Sequence, residues 1–342
     1  MNMTACSTNK TNESTSIFGL LYYAIMVLCL IGLITSDAEA AKRKKRSQLK
    51  PAAVTTPLVG TTVGPYDRSP PTSLVVDVNS GKILESINGK TSIYPASLTK
   101  MGTAYLVFEA IEAGKLSMDD YIPVSKRAQH VIPLKLGLKA GQTVKVRDAL
   151  HGVIIHSAND ASIALAEKIG GSEEKFAEMM TKRAHSLGMK DTQFMNASGF
   201  HHPKHKTTPV DLAKLAMALQ RDFPQYYDLF KKTSFEFAGR TIRGHNRVTE
   251  NYEGVKFGKT GYTSPAGCNL ITTAERNNKH LVALVTGSPS AASRNQKMVA
   301  LLNKHFGVVT AQKPAKASSL RLANHKAIKK KSKAKLIKRT RA

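Results

Sequence analysis

Strand-like segments lie at both ends of the globular part of this chain, and helical segments lie between them. Ser73–Val78 and Lys82–Ser86 flank Asn79-Ser80-Gly81, which is typical of a hairpin turn. The later strand-like segments are Ser234–Ala238, Cys268–Thr273 and Leu281–Thr286. Strands at both ends with helices between them predict an α/β (α+β) fold. In it, one mainly antiparallel sheet is closed by sequence-distant strands and packs against helices.

Four helical segments are predicted from hydrophobic periodicity and from the residues that begin and end helices. They cover about Ser97–Ala113, Val146–Gly188, Val210–Gln220 and Ser293–His305. Gly114 ends the first segment and Pro209 opens the third. The second is broken near Ser157 and at Gly170-Gly171, so Ser157 is predicted to lie where the helical pattern is interrupted.

The beginning of the chain predicts export. Residues Ile17 to Ile34 are almost continuously apolar and are followed by Ala38-Glu39-Ala40, a pattern that suits signal-peptidase cleavage before Ala41. An apolar segment of 18 residues is also long enough to span a bilayer. Residues 1–40 are therefore predicted to be a signal peptide or a membrane anchor. Either would place the protein in the periplasm or on the outer face of the cytoplasmic membrane.

The strong positive charge belongs mainly to the flanks of the chain. The formal net charge is +27, yet residues 70–309 hold 31 Lys and Arg against 20 Asp and Glu. Residues 41–72 are predicted to be a basic and Pro/Thr-rich linker, and 73–309 the globular domain. Residues 310–342 contain 12 Lys and Arg and no acidic residue, which predicts a disordered basic tail. Such a tail indicates polyanionic surroundings, namely an anionic membrane or acidic wall polymers.

The cysteines and histidines do not predict a metal or cofactor site. If the leading apolar stretch is removed, Cys268 is the only cysteine, and no internal disulfide can form. No C-x-x-C or H-E-x-x-H spacing occurs, and we interpret His201, His202 and His205 as exposed loop histidines. We predict no metal and no cofactor. A nucleic-acid partner is also not predicted, because basic residues are not interleaved with aromatic ones.

The first chemical motif is Ser97-Leu98-Thr99-Lys100, which opens a predicted helix. Side chains at i and i+3 share one helix face, so Ser97 and Lys100 are predicted to meet. A serine hydroxyl becomes a good nucleophile when a base removes its proton, and a lysine can serve if burial or a second cation lowers its pKa. The Ser97 N–H lies near the helix N-terminus, where free donors can stabilise an oxyanion. Taken alone, the motif also fits a helix cap followed by a surface lysine.

Two further motifs follow along the chain. Ser157-Ala158-Asn159 interrupts the helical stretch, so Ser157 can relay a proton and Asn159 can hold a substrate amide; an ordinary N-cap is the alternative interpretation. Lys259-Thr260-Gly261 is predicted to lie on an edge strand. There a lysine and a hydroxyl can bind a substrate carboxylate, and a glycine allows close approach of substrate backbone.

Together the three motifs are specific. S-x-x-K, S-D-N and K-T-G form the signature of penicillin-binding proteins and class A β-lactamases. Here they occur in that order with gaps of 60 and 102 residues, the second motif being the variant Ser-Ala-Asn. From about Ser73 to Phe306 the chain resembles the low-molecular-mass penicillin-binding proteins of the D-alanyl-D-alanine carboxypeptidase family. The stretches that carry the resemblance are Ser73–Gly81, Pro95–Tyr105, Ser157–Ala161, Leu187–Gly199, Asn246–Arg247 and Lys259–Asn269, plus Arg294.

The resemblance implies a β-lactamase/transpeptidase-like fold with a helical subdomain, and a role for each motif residue. Ser97 is expected to be the acylated nucleophile, Lys100 its general base and Ser157 the proton shuttle. The residues expected to bind substrate are Asn159, Lys259, Thr260, Gly261, Tyr262 and Arg294. The N–H groups of Ser97 and Tyr262 are expected to form the oxyanion hole. The expected ligands are stem peptides ending in D-Ala-D-Ala and β-lactam antibiotics.

The sequence departs from the family pattern in two places. The family usually has Asp-Gly-apolar before K-T-G, whereas this chain has Lys256-Phe257-Gly258. Many relatives also carry a second, β-rich domain, and none is expected here, because only about 80 residues follow Lys259.

Four other functions remain as alternatives. A D,D-endopeptidase would use the same residues on cross-links. A class A β-lactamase needs a deacylating glutamate, which Asp191–Asn196 does not contain. A non-catalytic wall-binding protein should have lost a catalytic residue, and a nucleic-acid-binding protein is suggested by the tail alone.

Overall fold

The computed structural model describes residues 68–308. The predicted signal peptide or anchor, the linker up to residue 67 and the basic tail lie outside the described residues, so these predictions are not tested. Within residues 68–308, no helix is both long and apolar enough to cross a bilayer. The domain itself, predicted over 73–309, begins with its first strand at Thr72.

The core of the fold is a sheet of five strands, β1 (Thr72–Asp77), β2 (Ile83–Ile87), β7 (Val255–Thr263), β8 (Gly267–Arg276) and β9 (Lys279–Ser288). Their order is β2-β1-β9-β8-β7, and every neighbouring pair is antiparallel. Thr72 of the first strand pairs with Thr286 of the last, so the two ends of the domain meet in the sheet. This confirms the predicted antiparallel sheet closed by sequence-distant strands.

Helices cover both faces of this sheet. The described helices are α1 (Lys100–Glu112), α2 (Lys126–His130), α3 (Val146–His151), α4 (Asn159–Gly170), α5 (Glu173–Ser186), α6 (Pro209–Asp222), α7 (Pro224–Tyr227), α8 (Arg247–Asn251) and α9 (Ala291–Phe306). On β1, Leu74 and Val76 belong to the large core that contains α1, α4 and α6, while Val75 belongs to the core formed with α9. Alternate side chains of the strand therefore enter two different cores, as the period of two requires.

The long helical stretch is interrupted where the sequence predicted. After α3 the chain forms a short π-helix over Gly152–His156. Ser157 then adopts a left-handed conformation with φ 66° and ψ 33°. A second left-handed residue, Gly171, separates α4 from α5. The first break sets Ser157 apart from both flanking helices.

Two small two-stranded sheets lie outside the main sheet. The predicted strand at Ser234–Ala238 exists as β5 (Ser234–Phe237), but it pairs with β6 (Arg240–Arg243) instead of joining the main sheet. The two-stranded sheet of β3 (Tyr121–Pro123) and β4 (Thr143–Lys145) was not predicted. Strands of three residues are too short to show an alternating pattern in the sequence.

Candidate active site

Ser97 lies in a tight turn that joins the sheet to α1. The 3₁₀ turn Ala96–Thr99 precedes the helix, and Ala96 is held in the left-handed region at φ 50°. Gly199, at φ 81°, packs so closely that a Cβ on it would overlap the Ala96 carbonyl. From the sheet, Asn269 Nδ2 donates to the carbonyls of Tyr94 at 3.2 Å and Pro95 at 3.3 Å. Such a left-handed residue costs about 1–3 kcal/mol and persists only where its surroundings fix it.

Lys100 is fully buried and points its ammonium nitrogen at Ser97. Nζ lies 3.1 Å from Ser97 Oγ, 2.7 Å from Asn159 Oδ1 and 2.6 Å from the Ser198 carbonyl oxygen. The last two oxygens can only accept hydrogen bonds. A neutral Lys100 would therefore give them its two hydrogens and keep its lone pair for the Ser97 hydroxyl. This is the geometry of a general base beside its nucleophile.

Burial is the main cause that favours the neutral amine. It holds the pKa of Lys100 well below its usual value, and the nearby charge of Lys259 lowers it further. The carboxylates of Glu173 and Asp160 act in the opposite direction and raise the pKa of Lys100. The pKa of Lys100 is thus lowered mainly by burial and is adjusted by charges from several elements.

The second serine is paired with the second lysine. Lys259 Nζ donates to Ser157 Oγ at 2.9 Å, and both side chains are buried. Burial, followed by the charge of Arg294, lowers the pKa of Lys259 to about 7. A cation that has lost its water in this way gains more from a bound carboxylate than a surface lysine would.

The motif Lys259-Thr260-Gly261 lies on β7, which is the edge strand of the sheet, as predicted. A Cβ built on Gly261 would lie 3.1 Å from the Ser97 nitrogen and 3.1 Å from the Pro95 carbonyl oxygen. The strand therefore runs directly against the Ser97 turn, with the exposed Tyr262 next along it. A peptide that approaches Ser97 would lie along this edge.

Two more of the predicted binding residues, Asn159 and Arg294, lie near Lys100 and Lys259. Asn159 uses both polar atoms of its side chain within the protein, since Oδ1 accepts from Lys100 and Nδ2 donates to the Pro133 carbonyl at 2.7 Å. Arg294 is buried and donates to the Asn269 carbonyl at 3.4 Å. Substrate binding by these two residues stays a prediction, as do the roles of the other predicted site residues.

One sequence prediction about the histidines is wrong. His205 is buried, because its loop packs behind the Ala96–Thr99 turn. His201 and His202 are half-buried. The Met195 N–H donates to His205 Nδ1 at 3.3 Å, so the neutral ring donates from Nε2 to Thr99 Oγ1 at 2.9 Å. Burial lowers the pKa of His205 to about 3, which keeps it neutral. Residues 68–308 contain no group of three side chains placed to hold a metal ion.

The unusual entry to β7 is accommodated by its neighbours. Phe257 stacks on Phe230 at 4.3 Å and on Tyr227 at 5.2 Å between ring centroids. Gly258 leaves room for Asn246 and Thr249, whose side chains would overlap any Cβ there. Phe257 is fully buried, so the sequence Lys256-Phe257-Gly258 places an aromatic ring in the core at the start of β7.

Sequence reasoning missed two residues that hold Lys100 and its surroundings. Ser198 supplies a carbonyl acceptor, and Glu173 supplies a buried carboxylate. Neither belongs to one of the three motifs. Ser198 lies in the stretch Leu187–Gly199 that carries the family resemblance, which was the available signal for it, whereas Glu173 has none.

Comparison with known proteins gives one matching family. The sequence profile of the D-alanyl-D-alanine carboxypeptidase family matches residues 60–290. The D-alanyl-D-alanine carboxypeptidase DacD of Escherichia coli is 35% identical over 253 residues, covering 70% of this chain and 64% of that protein. The D-alanyl-D-alanine endopeptidase of Pseudomonas aeruginosa is 31% identical over 222 residues, covering 62% of this chain and 70% of that protein. The chain spans less than two thirds of the length of DacD.

Solved structures share the fold. Penicillin-binding protein 5 from Haemophilus influenzae superposes with a TM-score of 0.67 at 33% identity, covering 72% of this chain and 73% of that one. Penicillin-binding protein D2 from Listeria monocytogenes, solved in its ampicillin-bound form, gives a TM-score of 0.64 at 28% identity, covering 69% and 96%. The fold is therefore that of the penicillin-binding proteins, as the motifs implied.

Proposed function

Because the chain belongs to the D-alanyl-D-alanine carboxypeptidase family, we propose that it is a serine D-Ala-D-Ala carboxypeptidase of peptidoglycan stem peptides. One observation carries the proposal. Buried Lys100 lies 3.1 Å from Ser97 Oγ, while its other two hydrogen-bond partners are oxygens that can only accept. An ordinary surface lysine after a helix cap would show neither the burial nor this directed lone pair.

The proposed reaction passes through an ester on Ser97. Lys100 takes the hydroxyl proton, and Ser97 Oγ attacks the carbonyl carbon of the penultimate D-Ala. The N–H groups of Ser97 and Tyr262 stabilise the oxyanion, and Gly261 lets the substrate backbone approach the strand. Ser157, hydrogen-bonded to Lys259, passes a proton to the departing amine of the last D-Ala. Water then hydrolyses the ester and releases the shortened peptide.

The charged end of the cleft supports a carboxypeptidase. Lys259, Thr260 and the neighbouring Arg294 would hold the free carboxylate of the terminal D-Ala. The endopeptidase alternative uses the same serine and lysines, and one relative of this chain bears that name. The β-lactamase alternative lacks support, because the loop at Asp191–Asn196 supplies no glutamate. A β-lactam would instead acylate Ser97 and leave slowly.

A paired substrate experiment tests the carboxylate site. A soluble peptide ending in D-Ala-D-Ala is compared with the same peptide amidated at its terminal carboxylate. We expect amidation to lower kcat/KM about 10- to 100-fold, because a charge-assisted hydrogen bond contributes roughly 1.5–3 kcal/mol. Equal rates on the two peptides would count against a carboxypeptidase and favour the endopeptidase.

The flanks of the chain suggest where the enzyme works. Residues 1–40 would direct export, and sequencing the amino terminus of the exported protein tests this, since a start at Ala41 indicates cleavage and a start at Met1 an anchor. Residues 310–342 would attach the enzyme to anionic membranes or wall polymers.

Truncation after Thr310 tests the role of the tail. Turnover of the soluble peptide should not change, because the tail lies outside the catalytic domain. Co-sedimentation with anionic vesicles or purified sacculi should drop, as it should for the full chain in high salt. Unchanged co-sedimentation would remove the proposed role of the tail.

A further inference from the structure

Glu173 is a buried carboxylate that belongs to none of the three motifs. It is the first residue of α5 and is only 5% exposed. Its Oε1 accepts a hydrogen bond from the Ala197 N–H at 3.2 Å, and its Oε2 pairs with Arg127 Nη2 at 2.9 Å. The Arg127 side chain is 59% exposed, whereas that of Glu173 is 6% exposed. The carboxylate thus faces the interior, and its counter-charge comes from the surface.

The segment that Glu173 holds is the one that contacts Lys100. Ala197 is followed by Ser198, whose carbonyl accepts from Lys100 Nζ at 2.6 Å. The same segment is tied to α1, because Thr103 Oγ1 donates to the Ala197 carbonyl at 2.6 Å. Its turn is closed by Asn196 Oδ1, which accepts from the Gly199 N–H at 2.8 Å. A shift at Ala197 would therefore move an acceptor of the general base.

We propose that Glu173 is a positioning residue for the acylation step. It fixes the Asn196–Gly199 segment against α1, and its charge, balanced by Arg127, adjusts the protonation of Lys100. This inference rests on the proposed function, since it concerns the same base and nucleophile. Glu173 and Arg127 would act through Lys100, without contacting the substrate, and neither residue belongs to one of the three motifs.

The charges that face Lys100 come from three elements. Lys259 on β7 opposes the ammonium, while Asp160 on α4 and Glu173 on α5 favour it. Asp160 is fixed by the N–H groups of Leu136 and Gly137, at 3.0 and 2.9 Å. His205, on the loop behind Ser97, stays neutral over the working pH range. Glu173 is therefore one of two anions that oppose Lys259 at the base.

The sign of each effect follows from what acylation needs. Acylation requires neutral Lys100, so its rate rises as pH rises through the pKa of that residue. Removing the charge of Glu173 favours the neutral amine and should move this acidic limb to lower pH. Removing Arg127 leaves the carboxylate unbalanced and should move the limb to higher pH. A purely structural role would not shift the two variants in opposite directions.

Three variants, used together with Arg127→Gln, separate the positioning effect of Glu173 from the effect of its charge. Glu173→Gln keeps an oxygen for the Ala197 N–H but loses the charge. Glu173→Ala loses both. Glu174→Gln is the matched control, because it removes the same charge from the same helical turn at a solvent-exposed position.

The experiment measures the rate of Ser97 acylation by a β-lactam as a function of pH for each variant. We expect the plateau rate of Glu173→Gln to stay within about threefold of wild type and that of Glu173→Ala to fall about tenfold or more, because small displacements of a reacting group are costly. The acidic limb should move down for Glu173→Gln, up for Arg127→Gln and remain in place for Glu174→Gln.

Several outcomes would overturn the inference. Unshifted limbs, or shifts in the same direction for Glu173→Gln and Arg127→Gln, would remove the electrostatic role. An equal plateau rate for Glu173→Ala and wild type would remove the positioning role. Accumulation of a longer-lived acyl-enzyme in Glu173→Gln would instead make Glu173 a base in deacylation. If wild type itself were not acylated, the proposed function would fail, which is a separate result.

Discussion

Replacing Lys100 with alanine is expected to lower the rate of Ser97 acylation about 10²- to 10⁴-fold at neutral pH, the usual contribution of a positioned general base. The side chain is fully buried and 3.1 Å from Ser97 Oγ, so no solvent group can take its place without a rearrangement. The measurement is the rate of covalent labelling by a β-lactam, followed by mass spectrometry of the intact protein.

Two further variants make the Lys100 result interpretable. Lys100→Met keeps most of the side-chain volume and should lose the same rate, which separates loss of the base from the cavity that alanine leaves. Lys115→Ala alters an exposed lysine just beyond α1 and should label at the wild-type rate. If Lys100→Ala folded and labelled at nearly the wild-type rate at neutral pH, Lys100 would not be the base.

Replacing Gly199 with alanine is expected to lower the acylation rate about 100-fold, although Gly199 belongs to none of the three motifs. A Cβ there would overlap the Ala96 carbonyl and lie 2.9 Å from Thr99 Oγ1. Either the Ser97 turn or the Ser198 carbonyl must move. These two groups fix the positions of Ser97 and Lys100, the proposed nucleophile and base. The variant should also unfold at a lower temperature than wild type.

Gly188 offers a matched control for this substitution. Its φ is nearly the same, 79° against 81°, but a Cβ there would meet no atom within 4 Å. Gly188→Ala should therefore lose stability by about 1 kcal/mol, the cost of a left-handed alanine, without loss of acylation rate. If Gly199→Ala behaved like Gly188→Ala, the close packing of the Ser97 turn would not matter for catalysis.

The sequence predicted the parts of the site that depend on local spacing. Ser97 and Lys100 are three residues apart at the start of a helix, so their contact follows from helical geometry. Ser157 interrupts a helical pattern, and that interruption is visible in the sequence. Closure of the sheet by strands from the two ends of the domain was also predicted, because those strand-like segments need each other to bury their apolar faces.

The parts that the sequence did not predict depend on contacts between distant segments. Ser198 reaches Lys100 across 98 residues, and Glu173 reaches Ala197 from the start of another helix. His205 was predicted to be exposed because it stands in a polar loop, yet that loop packs behind Thr99. No period or motif marks such contacts, since each is decided by how loops fold onto a finished core.

Covalent labelling with penicillin tests whether Ser97 is the nucleophile. Purified full-length protein is incubated with penicillin, digested and analysed by mass spectrometry, with Ser97→Ala as the control. We expect a stable adduct of one penicillin on the peptide that contains Ser97, with slow release and no adduct in the variant. An adduct on another residue, or rapid penicillin hydrolysis without any adduct, would contradict it.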